Sequence, residues 1–215
     1  MTHRRTRAAP ALPSVIPLFP LEGVLLLPRS RLPLNIFEPR YLAMVEDAMD
    51  GARIIGMIQP CGPGQVPPLY DVGCAGRISE CAETGDGRYL ISLTGLSRFA
   101  IVEELTVATL YRQAQVDFAA YSGDRAADRS GALDRARLIA AFRCFLDARG
   151  LDTDWDALAS AADESLVNAL AMLCPFGPAE KQALLEAPSL TARGDTLAAL
   201  LEFAIMEDDA AAPRH

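Results

Sequence analysis

The sequence predicts an α+β fold, a β-rich first half carrying one inserted helix followed by an all-helical second half. Three observations carry it. Up to about Phe118, apolar residues alternate or run in short blocks, as half-covered and doubly covered strands do. Past a polar stretch at 121–130, the apolar period lengthens to that of helices. Between them in importance lies Ile16–Tyr41, IPLFPLEGVLLLPRSRLPLNIFEPRY, with five prolines and one glycine among dense Leu, Ile, Val and Phe. Each proline ring fixes φ and deletes an amide donor, so no regular helix survives there. The stretch is also too apolar for a surface loop. It reads as short, bent, buried strands ending in a helix that opens at Pro39.

Taken in order, Val15–Phe19 and Val24–Leu27 are continuous apolar runs suited to buried strands, and Arg31–Phe37 alternates in part. The helix from Pro39 puts Tyr41, Val45 and Ala48 on one face, with Gly51 as its stop. Arg53–Ile58 reads as a buried strand, and the Pro/Gly-rich loop Gln59–Pro68 follows. Asp71–Glu83 and Arg88–Leu93 form a hairpin about Gly85-Asp86-Gly87, because Asp-Gly supplies the positive φ of a tight turn. Gly95 predicts a bulge or bend before Phe99 and Ile101. Thr109–Phe118 closes the β half with Leu110, Ala114, Val116 and Phe118 on one side and Tyr111, Gln113, Gln115 and Asp117 on the other. Helices are expected over Leu133–Arg149, capped by Ser130 and stopped by Gly150, then at Asp154–Ala161, Asp163–Leu173, Pro178–Glu186 and Arg193–Asp208.

At 215 residues the chain can bury a sizeable core without disulfides or metal. Its 51% hydrophobic and 22% charged residues suit an ordinary globular protein, and no apolar run approaches the ~20 residues that cross a bilayer. The net charge is −8, and 19 of the 20 bases are arginine, Lys181 being the lone lysine. An acidic chain without a basic stripe is poorly suited to nucleic acid, whose phosphates supply most of the affinity. Arg4, Arg5 and Arg7 lie in a polar N-terminal tail with no hydrophobic segment behind them, so a cytoplasmic address is expected.

Nucleophilic hydrolysis needs a base beside its nucleophile. The two histidines, His3 and His215, stand at the chain ends, and Lys181 reads as an exposed helical lysine beside Glu180. Neither a phosphate-cradling G-x-x-x-x-G-K-[ST] nor a G-x-G-x-x-G is present. Cys61, Cys74, Cys81, Cys144 and Cys174 contain no C-x-x-C pair, and on one continuous strand Cys74 and Cys81 would face opposite sides. They read as free thiols. Asp152, Asp154 and Asp156 lack the glycine and bidentate glutamate of a calcium loop and suit helix capping. No catalytic residue, cofactor or metal is expected.

The segments I-P-L-F-P-L, V-L-L-L-P and L-P-L-N-I-F-E-P-R-Y resemble the start of the substrate-binding (N-terminal) domain of the Lon protease family. The resemblance continues through a strand ending at Gln59, V-G-C-A-G-R-I with its hairpin, L-T-G-L-S-R-F, and E-K-Q-A-L-L-E-A-P-S-L with Arg193 shortly after. It covers residues 14–206. It implies a PUA-like curved β pseudo-barrel followed by a C-terminal α-helical bundle. The expected organisation is a disordered tail over 1–13, the β-rich subdomain over 14–119, a linker over 120–130, the helical subdomain over 131–208 and a tail over 209–215. In Lon such a domain precedes ATPase and Ser–Lys peptidase modules, and neither is expected here, as in the small stand-alone Lon-domain proteins. The implied function is non-catalytic binding of unfolded or tagged polypeptide segments or of a partner protein, weak if monovalent. A small-molecule or RNA-binding PUA-like module is the alternative, which the charge disfavours for RNA. No membrane partner is expected. Phe37, Glu38, Arg40 and Tyr41 are the candidate binding residues, and they equally suit a helix start and a core or its rim.

Overall fold

The computed structural model describes residues 11–64, 66–126 and 132–211, with no side-chain description beyond 206. Most of the N-terminal tail, the last residues of the C-terminal tail, both histidines, the end of the linker and the cap assigned to Ser130 lie outside the described residues.

Six strands make one sheet: β1 (Val15–Pro20), β2 (Arg31–Ile36), β3 (Ile54–Ile58), β4 (Val72–Glu83), β5 (Tyr89–Glu104) and β6 (Gln113–Asp117). Their order is β2-β5-β4-β3-β1-β6, and β5 also pairs with β6, so the sheet closes on itself. β1 and β3 run parallel, and the other pairings are antiparallel. Closure depends on the length of β5, 16 residues. Its first part lies between β2 and β4, and its last part, beyond Phe99, turns to β6. The bend comes from extra residues at Leu96 and Val102, where the register shifts, as Gly95 led one to expect. A Cβ on Gly95 would stand 2.1 Å from the Leu27 carbonyl oxygen, so only glycine lets that segment cross.

The barrel interior is a small cluster of Ile16, Leu18, Ile54, Ile58, Ala75, Phe99, Ala114 and Val116. The Phe99 ring fills it, and Gly73 makes room, since a Cβ there would sit 2.4 Å from the ring. The larger cluster lies outside the barrel. It joins Phe19, Leu25, Leu26 and Leu27 to α1 (Pro39–Asp50) and to residues of every long helix of the second half. β1 is thus covered on both faces, which explains its unbroken apolar run.

Val24–Leu27 is not a strand. Gly23 adopts φ +71° and Arg29 φ +64°, and the buried Gln59 side chain bonds Gly23 N–H (2.9 Å) and the Val24 carbonyl (2.6 Å) in place of a ladder. The three leucines are buried because the segment crosses the sheet over Gly76 and Gly95. Two other expectations fail for nearby reasons. Tyr111 is buried and Leu110 is 70% exposed, because both precede β6 and its alternation. Cys74 and Cys81 pack against the same cluster, because the extra residue Ser79 restores parity between them.

The second half holds α2 (Arg135–Ala148), α3 (Trp155–Ser160), α4 (Asp163–Leu173), α5 (Pro178–Glu186) and α6 (Leu190–Ala211). Asp134 and Asp154 cap α2 and α3 by accepting from the Arg137 and Ala157 amides. The stretch read as a polar linker contains a 3-10 helix, Ala119–Arg125, whose Asp124 binds Arg98 of β5. Lys181, expected on the surface, is only 1% exposed. Its ammonium donates to the Ala171 (2.7 Å) and Met172 (2.8 Å) carbonyls, orphan acceptors at the negative end of α4. Burial pulls its pKa down to about 8. Arg193 is buried likewise, donating to the Leu184 carbonyl and to Asn168.

Candidate functional site

The helix start at Pro39 places Arg40 and Tyr41 at the head of an open cleft of about 510 Å³. Its walls are the end of β1, α1's first turn, the proline-rich loop after β3, and the loop from Glu104 to Arg112 that joins β5 to β6. Pro39 at N1 fixes the entry angle of α1, so the direction of Arg40 and Tyr41 follows from local sequence.

Tyr41 is buried with its ring 4.2 Å from that of Phe19, and the Arg40 guanidinium lies 4.4 Å from the centre of the Tyr41 ring. Burial raises the Tyr41 pKa, and Glu38 adds to the rise against the charge of Arg40. Glu38 pairs with Arg40 at 2.8 Å in the open. Phe37 is 61% exposed beneath the Arg88 guanidinium, so it belongs to no core. Of the four residues singled out by sequence, Arg40 and Tyr41 line the cleft, Glu38 holds Arg40, and Phe37 stands outside it.

Sequence reasoning missed the opposite wall. Arg112 grips both carboxylate oxygens of Glu104 and donates to the Pro67 carbonyl at 2.8 Å, tying the proline-rich loop to the β5–β6 turn. Tyr111 donates to Asp47 of α1 at 2.6 Å; burial, then that bond and its charge, push the phenol up to about 12. Val107 and Leu110 add exposed apolar rim. The signal was the Glu104…Arg112 spacing across a turn, legible only once β5 and β6 are known to pair.

The ionic groups Arg40, Glu38, Arg112 and Glu104 are satisfied by one another, and the two phenols stay protonated at neutral pH. The cleft therefore offers aromatic, proline and aliphatic surface beside two paired arginines, with Glu22 as a further acidic group on its lining. Among the described residues no group of three or more His, Cys, Asp and Glu could hold a metal ion. The amine of Lys181, the one lysine, points at carbonyls under α4. No described helix is long and apolar enough to cross a membrane.

The model of the ATP-dependent protease La (LON) substrate-binding domain matches residues 15–202. The chain belongs to the LON substrate-binding domain family. Its relatives include Lon protease 2 of Myxococcus xanthus, 30% identical over 110 residues, 49% of this chain and 13% of that protein. Lon protease 2 of Sorangium cellulosum is 31% identical over 118 residues, 53% of this chain and 14% of that protein. The likeness is thus to a small part of each protease. Among solved structures, a Lon N-terminal domain protein from Xanthomonas campestris superposes with TM-score 0.61 at 24% identity, covering 86% of this chain and 97% of that one. The N-terminal domain of the Mycobacterium avium complex Lon protease gives TM-score 0.59 at 15% identity, covering 87% and 98%. These likenesses confirm the fold expected of a LON substrate-binding domain, with its β-sheet and C-terminal helices. The family's model is that of the substrate-binding part, not the catalytic one.

Proposed function

We propose that the chain binds unfolded or tagged polypeptide segments, without catalysis, in the cleft headed by Arg40 and Tyr41. The observation that carries this reading is the cleft itself, lined by aromatic, proline and aliphatic side chains with both of its arginines already paired, in a substrate-binding family. Such a surface selects for apolar side chains and extended backbone and has little to offer phosphate. Covering ~400 Å² of apolar surface gains about 10 kcal/mol gross. Association costs of ~4–15 kcal/mol consume most of that, so one site binds weakly. Useful affinity then comes from several copies or from a partner.

The test is titration of a permanently unfolded protein, reduced and carboxymethylated α-lactalbumin, against the chain and its Leu110→Asp variant. Leu110 is exposed, so the charge disturbs the cleft rim rather than the fold. Weak binding read as NMR shift changes at the cleft residues Tyr41 and Arg112, which the variant loses by about tenfold with unchanged melting, is the expected result. Equal binding by both proteins moves the site elsewhere. Binding of RNA that weakens steeply with salt favours the other reading.

A further inference from the structure

The outer edge of β2 carries main-chain groups that nothing described pairs. Among the described residues β2 has β5 as its sole neighbour in the sheet. The Gly95 amide donates to the Ser30 carbonyl at 2.9 Å, and the antiparallel register carries the bonded positions on to Leu32, Leu34 and Ile36. Arg31, Pro33 and Asn35 therefore aim their main-chain groups away from β5. Proline has no amide donor, so it fits the strand only at such an outward position. Five groups are presented: the Arg31 and Asn35 amides and the carbonyls of Arg31, Pro33 and Asn35.

Beside this edge runs a groove of about 480 Å³ between Arg31–Pro33 and α4, floored by Ala169 and Met172. Leu173 stands at its end 80% exposed. The charges that border it are already paired, Arg29 with Glu164 and Arg31 with Glu80. It is a second site, separate from the cleft at Arg40.

We propose that the β2 edge accepts an extended apolar polypeptide segment as an added strand. Its main chain pairs with Arg31, Pro33 and Asn35, and alternate side chains enter the groove against α4. The paired border charges leave nothing to attract a charged ligand, while unpaired donors and acceptors along an edge match only another extended backbone. A second copy fits less well. Pairing two β2 edges about a two-fold through their centres sets Pro33 against Pro33 and removes a donor from each strand, whereas an added peptide meets one proline.

Hydrogen exchange read by NMR tests this, with an acetylated, amidated peptide of about nine residues, alternating valine and threonine between terminal lysines, as the probe. The expected result is slowing of about tenfold or more at the Arg31 and Asn35 amides, with the already bonded Leu34 and Ile36 amides unchanged. Asn35→Pro removes one outward donor and leaves the β5 ladder intact, so Leu34 and Ile36 stay protected while probe binding is lost. Leu173→Asp, at an exposed position, weakens binding through the groove alone. The proposal is overturned if Arg31 and Asn35 exchange as before with probe present at about 1 mM, or if Asn35→Pro binds as the wild type does. Protection that grows with protein concentration without probe assigns the edge to a second copy and overturns it too. The Leu110→Asp variant leaves this binding untouched, which keeps the two sites distinguishable.

Discussion

Arg98 and Asp124 meet at 2.7 Å with both side chains about nine-tenths buried, and the same guanidinium donates to the Leu185 and Ala187 carbonyls. One side chain of the barrel thus holds the segment between the halves and the end of α5. Gln182, bonding the Val72 carbonyl, and Asn168, bonding that of Pro28, add to the same seam. Removing either charge of a buried pair strands the other. Arg98→Ala and Asp124→Ala are each expected to lose about 3–5 kcal/mol in urea unfolding, with less than additive loss in the double variant. Additive losses would mean that the two residues act separately.

The same pair gives a sign in acid. Burial alone would raise the Asp124 pKa, but the hydrogen bonds and charge of Arg98 hold it below the usual aspartate value. A depressed folded pKa contributes stability that is present above the unfolded value near 4 and is lost as pH falls through the folded one. The difference in stability between wild type and Asp124→Asn should therefore shrink below about pH 4.

In alkali the buried thiols contribute alongside Tyr111, itself raised to about 12. Burial raises Cys174 from 9.0 to about 11 and Cys74 from 9.0 to about 12. A raised folded pKa means that each thiol's contribution is intact below pH 9 and drains away as pH climbs through the folded value. For Cys174 that is about 2–3 kcal/mol by pH 11, at 1.36 kcal/mol per unit. Cys174→Ala should remove that part of the alkaline slope in urea titrations. Lys181, lowered to about 8, works in the opposite sense over an overlapping range and interacts with the Cys174 charge, so the comparison reads the thiol together with its effect on that lysine.

Inside the barrel, Gly73 and Phe99 must be matched. Gly73→Ala puts a methyl into the Phe99 ring and near the Met57 carbonyl, and Phe99→Ala empties the cluster at a cost of about 3–5 kcal/mol. Gly73→Ala with Phe99→Leu should be less destabilised than the sum of the single variants by about 1 kcal/mol, because the smaller side chain frees that space. A strictly additive double variant would place the clash at the Met57 carbonyl instead.

What the residues disclosed in advance was whatever their own neighbours determine. Pro39 opens α1, Asp-Gly turns the β4–β5 hairpin, and apolar runs mark β1 and β3 because each element buries both faces. What stayed hidden depends on residues distant in sequence. Val24–Leu27 looks like a strand, and only Gln59, which bonds Gly23 and Val24, shows why it is not. Lys181 reads as a surface residue until α4 turns its carbonyls over it. The cleft was half legible, because Arg40 and Tyr41 stand beside a proline, while Arg112 and Tyr111 owe their places to pairing between β5 and β6 and to Asp47.

The four signature residues should separate cleanly by stability. Phe37 is exposed, so Phe37→Ala should change the melting curve by no more than about 0.5 kcal/mol. Tyr41 is buried against Phe19, and Tyr41→Ala should cost about 3–5 kcal/mol. Its hydroxyl reaches the Pro20 carbonyl at only 3.5 Å, a long bond, so Tyr41→Phe should recover nearly all of that loss. Glu38→Gln breaks an exposed pair with Arg40 and should cost at most about 1 kcal/mol. It also frees Arg40 to swing from Tyr41, so a change in polypeptide affinity without a change in stability would assign that guanidinium to the cleft's contact surface. If Phe37→Ala instead unfolds the protein, the Arg88–Phe37 contact bears more of the β2–α1 corner than its exposure indicates.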